Sequence, residues 1–110
     1  MLPDKPCIVA FVTAPDMETA RKIAKAALEK KLAACANILP QVESHYWWEG
    51  KLEKSAEVMI LFKTSVSLQH ELGECVRENH PYELPEFVVT TIEGGSREYL
   101  AWVRRSVGNR

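Results

Sequence analysis

The sequence predicts an α+β fold, a four-stranded antiparallel sheet with helices on one face. Three observations predict it. Residues 34–64 alternate apolar and polar side chains with period two, broken once by Glu49-Gly50. Two shorter apolar runs, over 7–12 and 87–92, also read as strands. Three further segments carry apolar stripes at helical spacing. The order is strand, helix, strand, strand, helix, strand, helix. That is the ferredoxin-like βαββαβ plan with an added C-terminal helix. The chain is read as a single domain, 1–110.

The first strand, Cys7-Ile8-Val9-Ala10-Phe11-Val12, is nearly all apolar, as a central strand should be. Asp16 is a good helix N-cap, and Glu18 suits the first turn. Ala20, Ile23, Ala24, Ala27 and Leu28 give the inward stripe of a helix over 16–31. Lys30-Lys31 is expected in its last turn, where cations suit the helix dipole.

A long extended hairpin follows over 34–64. Gly50 supplies the positive φ of a tight turn, with Glu49 before it. Ala36, Ile38, Val42, Tyr46 and Trp48 mark the apolar face of the first arm; Val58, Ile60 and Phe62 mark that of the second. Pro40 cannot donate to a ladder, so it implies a bulge, a bend or a locally unpaired edge. Each arm would run roughly 12–15 residues, or about 40–50 Å. A compact domain of this size is only about 35 Å across. The tip therefore overhangs, and it carries Tyr46, Trp47 and Trp48, three of nine aromatic residues. A second copy of the chain is the simplest cover for such a tip.

Ser65 or Ser67 opens a second helix with Leu68, Leu72, Cys75 and Val76 inward. His80-Pro81 ends it. Two prolines, Pro81 and Pro85, stiffen the loop up to the strand over 87–92. Gly94-Gly95 breaks that strand. Ser96 caps a last helix with Tyr99, Leu100, Val103 and Val107 inward.

The formal net charge of -1 gives no basis for nucleic-acid or anionic-membrane binding. The apolar runs are too short to span a membrane, and Met1-Leu2-Pro3-Asp4-Lys5 lacks a secretory pattern. A soluble cytoplasmic protein is expected. Cys7, Cys35 and Cys75 are odd in number and widely spaced, as reduced thiols would be. Nucleophile, P-loop and dinucleotide motifs are absent, so no enzyme is expected.

Several segments in this order resemble the CutA, or divalent-cation-tolerance, family. They are Thr13-Ala14-Pro15-Asp16, Lys31-Leu32-Ala33-Ala34-Cys35-Ala36-Asn37-Ile38, Ser44-His45-Tyr46-Trp47-Trp48-Glu49-Gly50-Lys51, His80-Pro81-Tyr82-Glu83-Leu84-Pro85-Glu86 and Tyr99-Leu100-Ala101-Trp102. The resemblance implies a ferredoxin-like subunit, a homotrimer, a cytoplasmic location and a role in copper and divalent-metal tolerance.

In some bacterial members copper is assigned to a first-strand cysteine and two consecutive histidines before Pro-Tyr. Those positions are here Val12, Asn79 and His80. The resemblance thus implies a weak site for copper(II) or another divalent cation, with His80 as ligand and Glu78, Glu83 and Glu86 nearby. The plainer reading is that His80 caps the helix C-terminus and its neighbours are solvated. The alternative function is a PII-like sensor that binds a small anion or nucleotide between subunits.

Overall fold

The computed structural model describes residues 4–110. Residues 1–3, part of the stretch read for a secretory pattern, lie outside the described residues. The fold is the expected ferredoxin-like one. Strand β1 (Cys7–Ala14) leads to helix α1 (Met17–Glu29). The hairpin β2 (Cys35–Trp48) and β3 (Lys51–Ser65) follows, then a short 3₁₀ turn (Val66–Leu68) and helix α2 (Gln69–Asn79). Strand β4 (Val88–Thr91) and helix α3 (Arg97–Ser106) complete the chain. The sheet order is β2-β3-β1-β4, antiparallel at each junction, so β2 and β4 are its edges.

The even-numbered residues of β1 and β3 form the covered face. Val12 pairs with Ile60 and Ala10 with Phe62, all fully buried beneath Ile23, Ala27, Leu72 and Val76 of α1 and α2. Burying Phe62 and Ile60 here stabilises the fold by about 1.5–3 kcal/mol each. Thr64 on the same face donates from Oγ1 to the Leu32 carbonyl at 2.7 Å, which ties the α1–β2 connection to the sheet.

Helix α1 starts as expected. Asp16 Oδ1 accepts from the Thr19 N–H at 2.7 Å, satisfying a donor that has no intrahelical partner. Its end is earlier than the expected residue 31. Lys30 is the C-cap and Lys31 turns left-handed at φ 55°, so neither lysine sits in the last turn. The cation at this end comes from Arg110, whose guanidinium donates to the carbonyls of Lys31 (2.5 Å) and Lys30 (3.3 Å). Only the tertiary fold brings these positions together.

Ser65 caps the 3₁₀ turn rather than α2 itself, and α2 stops at Asn79 as His80-Pro81 requires. Ser96 caps α3 by accepting from the Tyr99 N–H at 3.2 Å. Val103 and Val107 are buried as expected, whereas Tyr99 stays largely exposed and stacks on Trp102 at 5.5 Å. Helix α3, the helix added to the βαββαβ plan, reaches the covered core through Val107. Leu100 and Arg104 meet Cys7, an odd-numbered residue of the opposite face, at one end of the sheet.

Of the bulge, bend or unpaired edge expected at Pro40, the structure has the bulge. Leu39 pairs with Met59 and Val42 with Glu57, so Pro40 and Gln41 stand opposite Val58 alone, with Gln41 at φ 63°. Its consequence was not legible from alternation. The extra residue inverts the facing of β2. Before the bulge Ile38 pairs with Ile60 on the covered face. After it Ser44, Tyr46 and Trp48 pair with Ser55, Glu53 and Lys51 on the odd-numbered face of β3.

The hairpin turn holds both Glu49 (φ 50°) and Gly50 (φ 78°) left-handed. Glycine takes that conformation freely, but a glutamate is strained in it. Glu49→Asn should therefore raise thermal stability, by up to about 1 kcal/mol. A melting temperature equal to or below the parent's would show that Glu49 is held by something other than the turn.

Candidate functional site

At one end of the odd-numbered sheet face lies a groove of about 520 Å³. Its floor is Thr13 on β1 and Glu57 on β3. Ser44, Tyr46 and Trp48 of β2 form one wall, placed there by the inverted facing after the bulge. The other wall is the loop after α2, with Tyr82, Glu83, Leu84 and Glu86.

Loop and sheet are fastened together by two side chains. The Tyr82 hydroxyl donates to Glu57 Oε2 at 2.8 Å. His80 spans the gap from the other side. Its Nε2 donates to the Thr13 carbonyl at 2.7 Å, and its Nδ1 accepts from the Tyr82 N–H at 3.2 Å. A carbonyl can only accept and an amide can only donate, so these two bonds select the neutral Nε2–H tautomer. The imidazole and the Tyr82 ring also pack at 4.6 Å between centroids.

Electrostatically the groove is acidic. Glu57 is only 7% exposed. Burial, and then the Glu57 charge, push the Glu86 carboxyl above its ordinary value. Burial and the bond to Glu57 push the Tyr82 phenol well up, so it remains a donor. Among the described lining residues there are three carboxylates, Glu57, Glu83 and Glu86, and no lysine or arginine.

The sequence-predicted site residues fall in different places. Glu83 and Glu86 line the groove, while His80 braces it from behind. Glu78 is not among the lining residues. Val12 is fully buried in the core. Asn79 donates from Nδ2 to the Cys75 carbonyl at 2.8 Å and finishes α2. A metal reaching His80 Nδ1 would have to displace the Tyr82 amide. Among the described residues, no group of three or more His, Cys, Asp or Glu side chains is placed to hold a metal ion. His45 on the hairpin also lines the groove and pairs with Glu43 at 2.8 Å. Sequence reasoning missed Glu57, which looks like any polar residue of a half-exposed strand. Its signal was a carboxylate in the buried half of the long arm, beside Val58.

The raised Glu86 carboxyl sets the sign of a pH effect. The folded state holds that proton more tightly than the unfolded chain does. The resulting stability is fully present below the ordinary value of 4.5 and is lost as pH rises through the folded value. Glu86→Gln should thus melt above the parent at neutral pH, and the gap should close as pH falls below 4.5. A gap that ignores pH would mean that Glu86 is fully solvated.

Comparison with known proteins covers most of the chain. The family model described as "CutA1 divalent ion tolerance protein" matches residues 8–106. A divalent-cation tolerance protein CutA of Citrobacter koseri is 46% identical over 100 residues, covering 91% of this chain and 87% of that protein. Protein CutA 1, chloroplastic, of Oryza sativa is 45% identical over 101 residues. The chain spans 57% of the length of that plant relative. The crystal structure of CutA1 from Oryza sativa superposes with a TM-score of 0.90 at 44% identity, covering 94% of both chains. The crystal structure of the divalent cation tolerance protein (Cut A1) from Thermus thermophilus gives 0.89 at 43%, covering 91% of this chain and 97% of that one. With the sequence matched almost end to end and the sheet order, bulged hairpin and loop in place, the chain belongs to the CutA1 divalent ion tolerance family.

Proposed function

We propose that the protein acts as a homotrimer in divalent-metal tolerance, without catalysis, and contacts copper(II) or another divalent cation only weakly. The observation that carries the assembly is the unclad centre of the odd-numbered sheet face. Val9, Phe11, Met59 and Leu61 are half-buried there, and Leu39 and Val88 are exposed. Both edges of the sheet are free among the described residues, and one of them is the 14-residue β2. The chain measures 52 × 26 × 22 Å, so the hairpin extends well past a compact body. Trp47 is 73% exposed at its tip and Leu52 66%. A long apolar edge of this kind invites strand pairing, and a closed ring of copies satisfies it without open-ended growth. The count of three rests on the family resemblance.

The tolerance role rests on family membership. Three free thiols, of which Cys7 and Cys75 are buried, suit a reducing compartment such as the cytoplasm. Relatives carry the names chloroplastic and periplasmic, so the compartment differs within the family. No helix among the described residues is long and apolar enough to cross a membrane. The PII-like alternative, a sensor of anions or nucleotides, needs a basic cleft. The groove offers carboxylates instead.

Equilibrium sedimentation should give three times the chain mass of 12.5 kDa. The interface should be of the obligate class, about 2,000 Å² or more in total, and the melting temperature should rise with protein concentration. A monomer would remove the assembly reading, and a dimer would remove the family count. Trp48 is 40% exposed in one chain. If the assembly buries it, Trp48→Ala should cost about 3–5 kcal/mol.

Copper(II) heads the divalent affinity order and binds most accessible imidazoles that have carboxylates nearby. At His80 it must compete with the Tyr82 amide, so calorimetric titration should give micromolar affinity or weaker. His80→Ala should remove most of that binding. It should also loosen the loop, at about 1–3 kcal/mol for the unpaired groups left behind. Nanomolar affinity, or indifference to His80→Ala, would place the metal elsewhere.

A further inference from the structure

We propose that Arg110 is a latch that ties the tail after α3 to the α1–β2 connection and so sets the order of the root of edge strand β2. The tail turns back to reach that connection. Gly108 and Asn109 are left-handed, at φ 73° and 58°. Their N–H groups donate to the carbonyls of Arg105 at 2.9 Å and Arg104 at 2.8 Å. Val107, fully buried, anchors the turn in the core. Arg110 then meets three other segments of the chain. Its guanidinium donates to the carbonyls of Lys31 (2.5 Å) and Lys30 (3.3 Å), and also to that of Val107 (3.0 Å). Its own carbonyl accepts from Lys5 Nζ at 2.7 Å and from Ser67 Oγ.

Both ends of the latch are held. On one side, Arg104 donates to the Lys5 carbonyl at 3.4 Å, and the Val66 N–H donates to the Pro6 carbonyl at 2.9 Å. Ser67 belongs to the 3₁₀ turn that follows β3. The other side is the place where α1 stops. Lys31 is left-handed at φ 55°, a strained conformation for a residue with a Cβ. The guanidinium holds its carbonyl with a charge-assisted bond. Leu32, Ala33 and Ala34 then lead into β2. The Leu32 carbonyl accepts from Thr64 Oγ1 at 2.7 Å, and the Ala34 N–H donates to the Lys63 carbonyl at 2.9 Å. Strand β2 is laddered on one side only among the described residues, and local opening begins where bonding is thinnest. All of these contacts lie within one chain and need no second copy.

The test is amide hydrogen exchange of the intact protein, read residue by residue. Arg110→Ala should speed exchange of the Leu32 and Ala34 amides at least about tenfold. Arg110→Lys keeps the charge but loses the fork of donors, and should recover only part of that protection. The double variant Lys5→Met with Ser67→Ala removes both donors to the Arg110 carbonyl and leaves the guanidinium in place. It should speed the same two amides about threefold or more. Parts of one latch are not additive, so adding Arg110→Ala to that double variant should give rates no faster than Arg110→Ala alone. The Ser44 and Ser55 amides of the distal hairpin should keep their rates in every variant. Unchanged Leu32 and Ala34 rates, equal acceleration in the distal hairpin, or additive effects in the triple variant would each overturn the proposal. If Arg110→Ala does not fold, the double variant decides alone, by whether it speeds the Leu32 and Ala34 amides and spares the hairpin.

Discussion

The bulge at Pro40–Gln41 is the constraint on which the rest of the structure depends. A hairpin of this length would keep one set of side chains on the covered face from root to tip. Proline removes one ladder donor, and the extra residue beside it puts two positions of β2 opposite Val58 alone. Every later side chain on β2 therefore changes sides. The root contributes Ile38 to the core beneath α1 and α2. The tip contributes Tyr46 and Trp48 to the opposite face, beside Glu57. One strand thus serves the core and the groove, and a single inserted residue divides the two tasks.

The second fastening is the loop after α2. His80 ends the helix because proline follows it, which brings its ring over the end of β1. Both ring nitrogens are then committed, to the Thr13 carbonyl and the Tyr82 amide. Tyr82 passes that rigidity on to Glu57. In this chain His80 is therefore first a brace, and any metal it meets competes with that role. Position Asn79 makes the same point from the helix side, where its amide is spent on the Cys75 carbonyl.

The odd-numbered face has three parts. Helix α3 meets Cys7 at one end, the groove occupies the other, and among the described residues no helix covers the apolar centre between them. The covered face is a finished core. The open one combines half-buried apolar side chains with a long edge strand, and the proposed assembly rests on that surface.

The sequence by itself determined the element order, the sheet plan, the hairpin with its turn at Gly50, an interruption of the ladder at Pro40, and the caps at Asp16 and Ser96. These are local matters of period, φ preference and side-chain oxygens within three residues of an N–H, so nearby residues suffice to fix them. The family was legible too, because its motifs are contiguous. Only the tertiary structure decided that Lys30 and Lys31 leave the helix end to Arg110, that Tyr99 stays exposed, and that the tip of β2 faces away from its root. Only tertiary structure placed Glu57 under Tyr82 and set both nitrogens of His80. Each of those outcomes depends on which strand lies opposite which, and on partners up to 80 residues apart. Register and long-range contact are properties of the packed chain, and no single segment carries them.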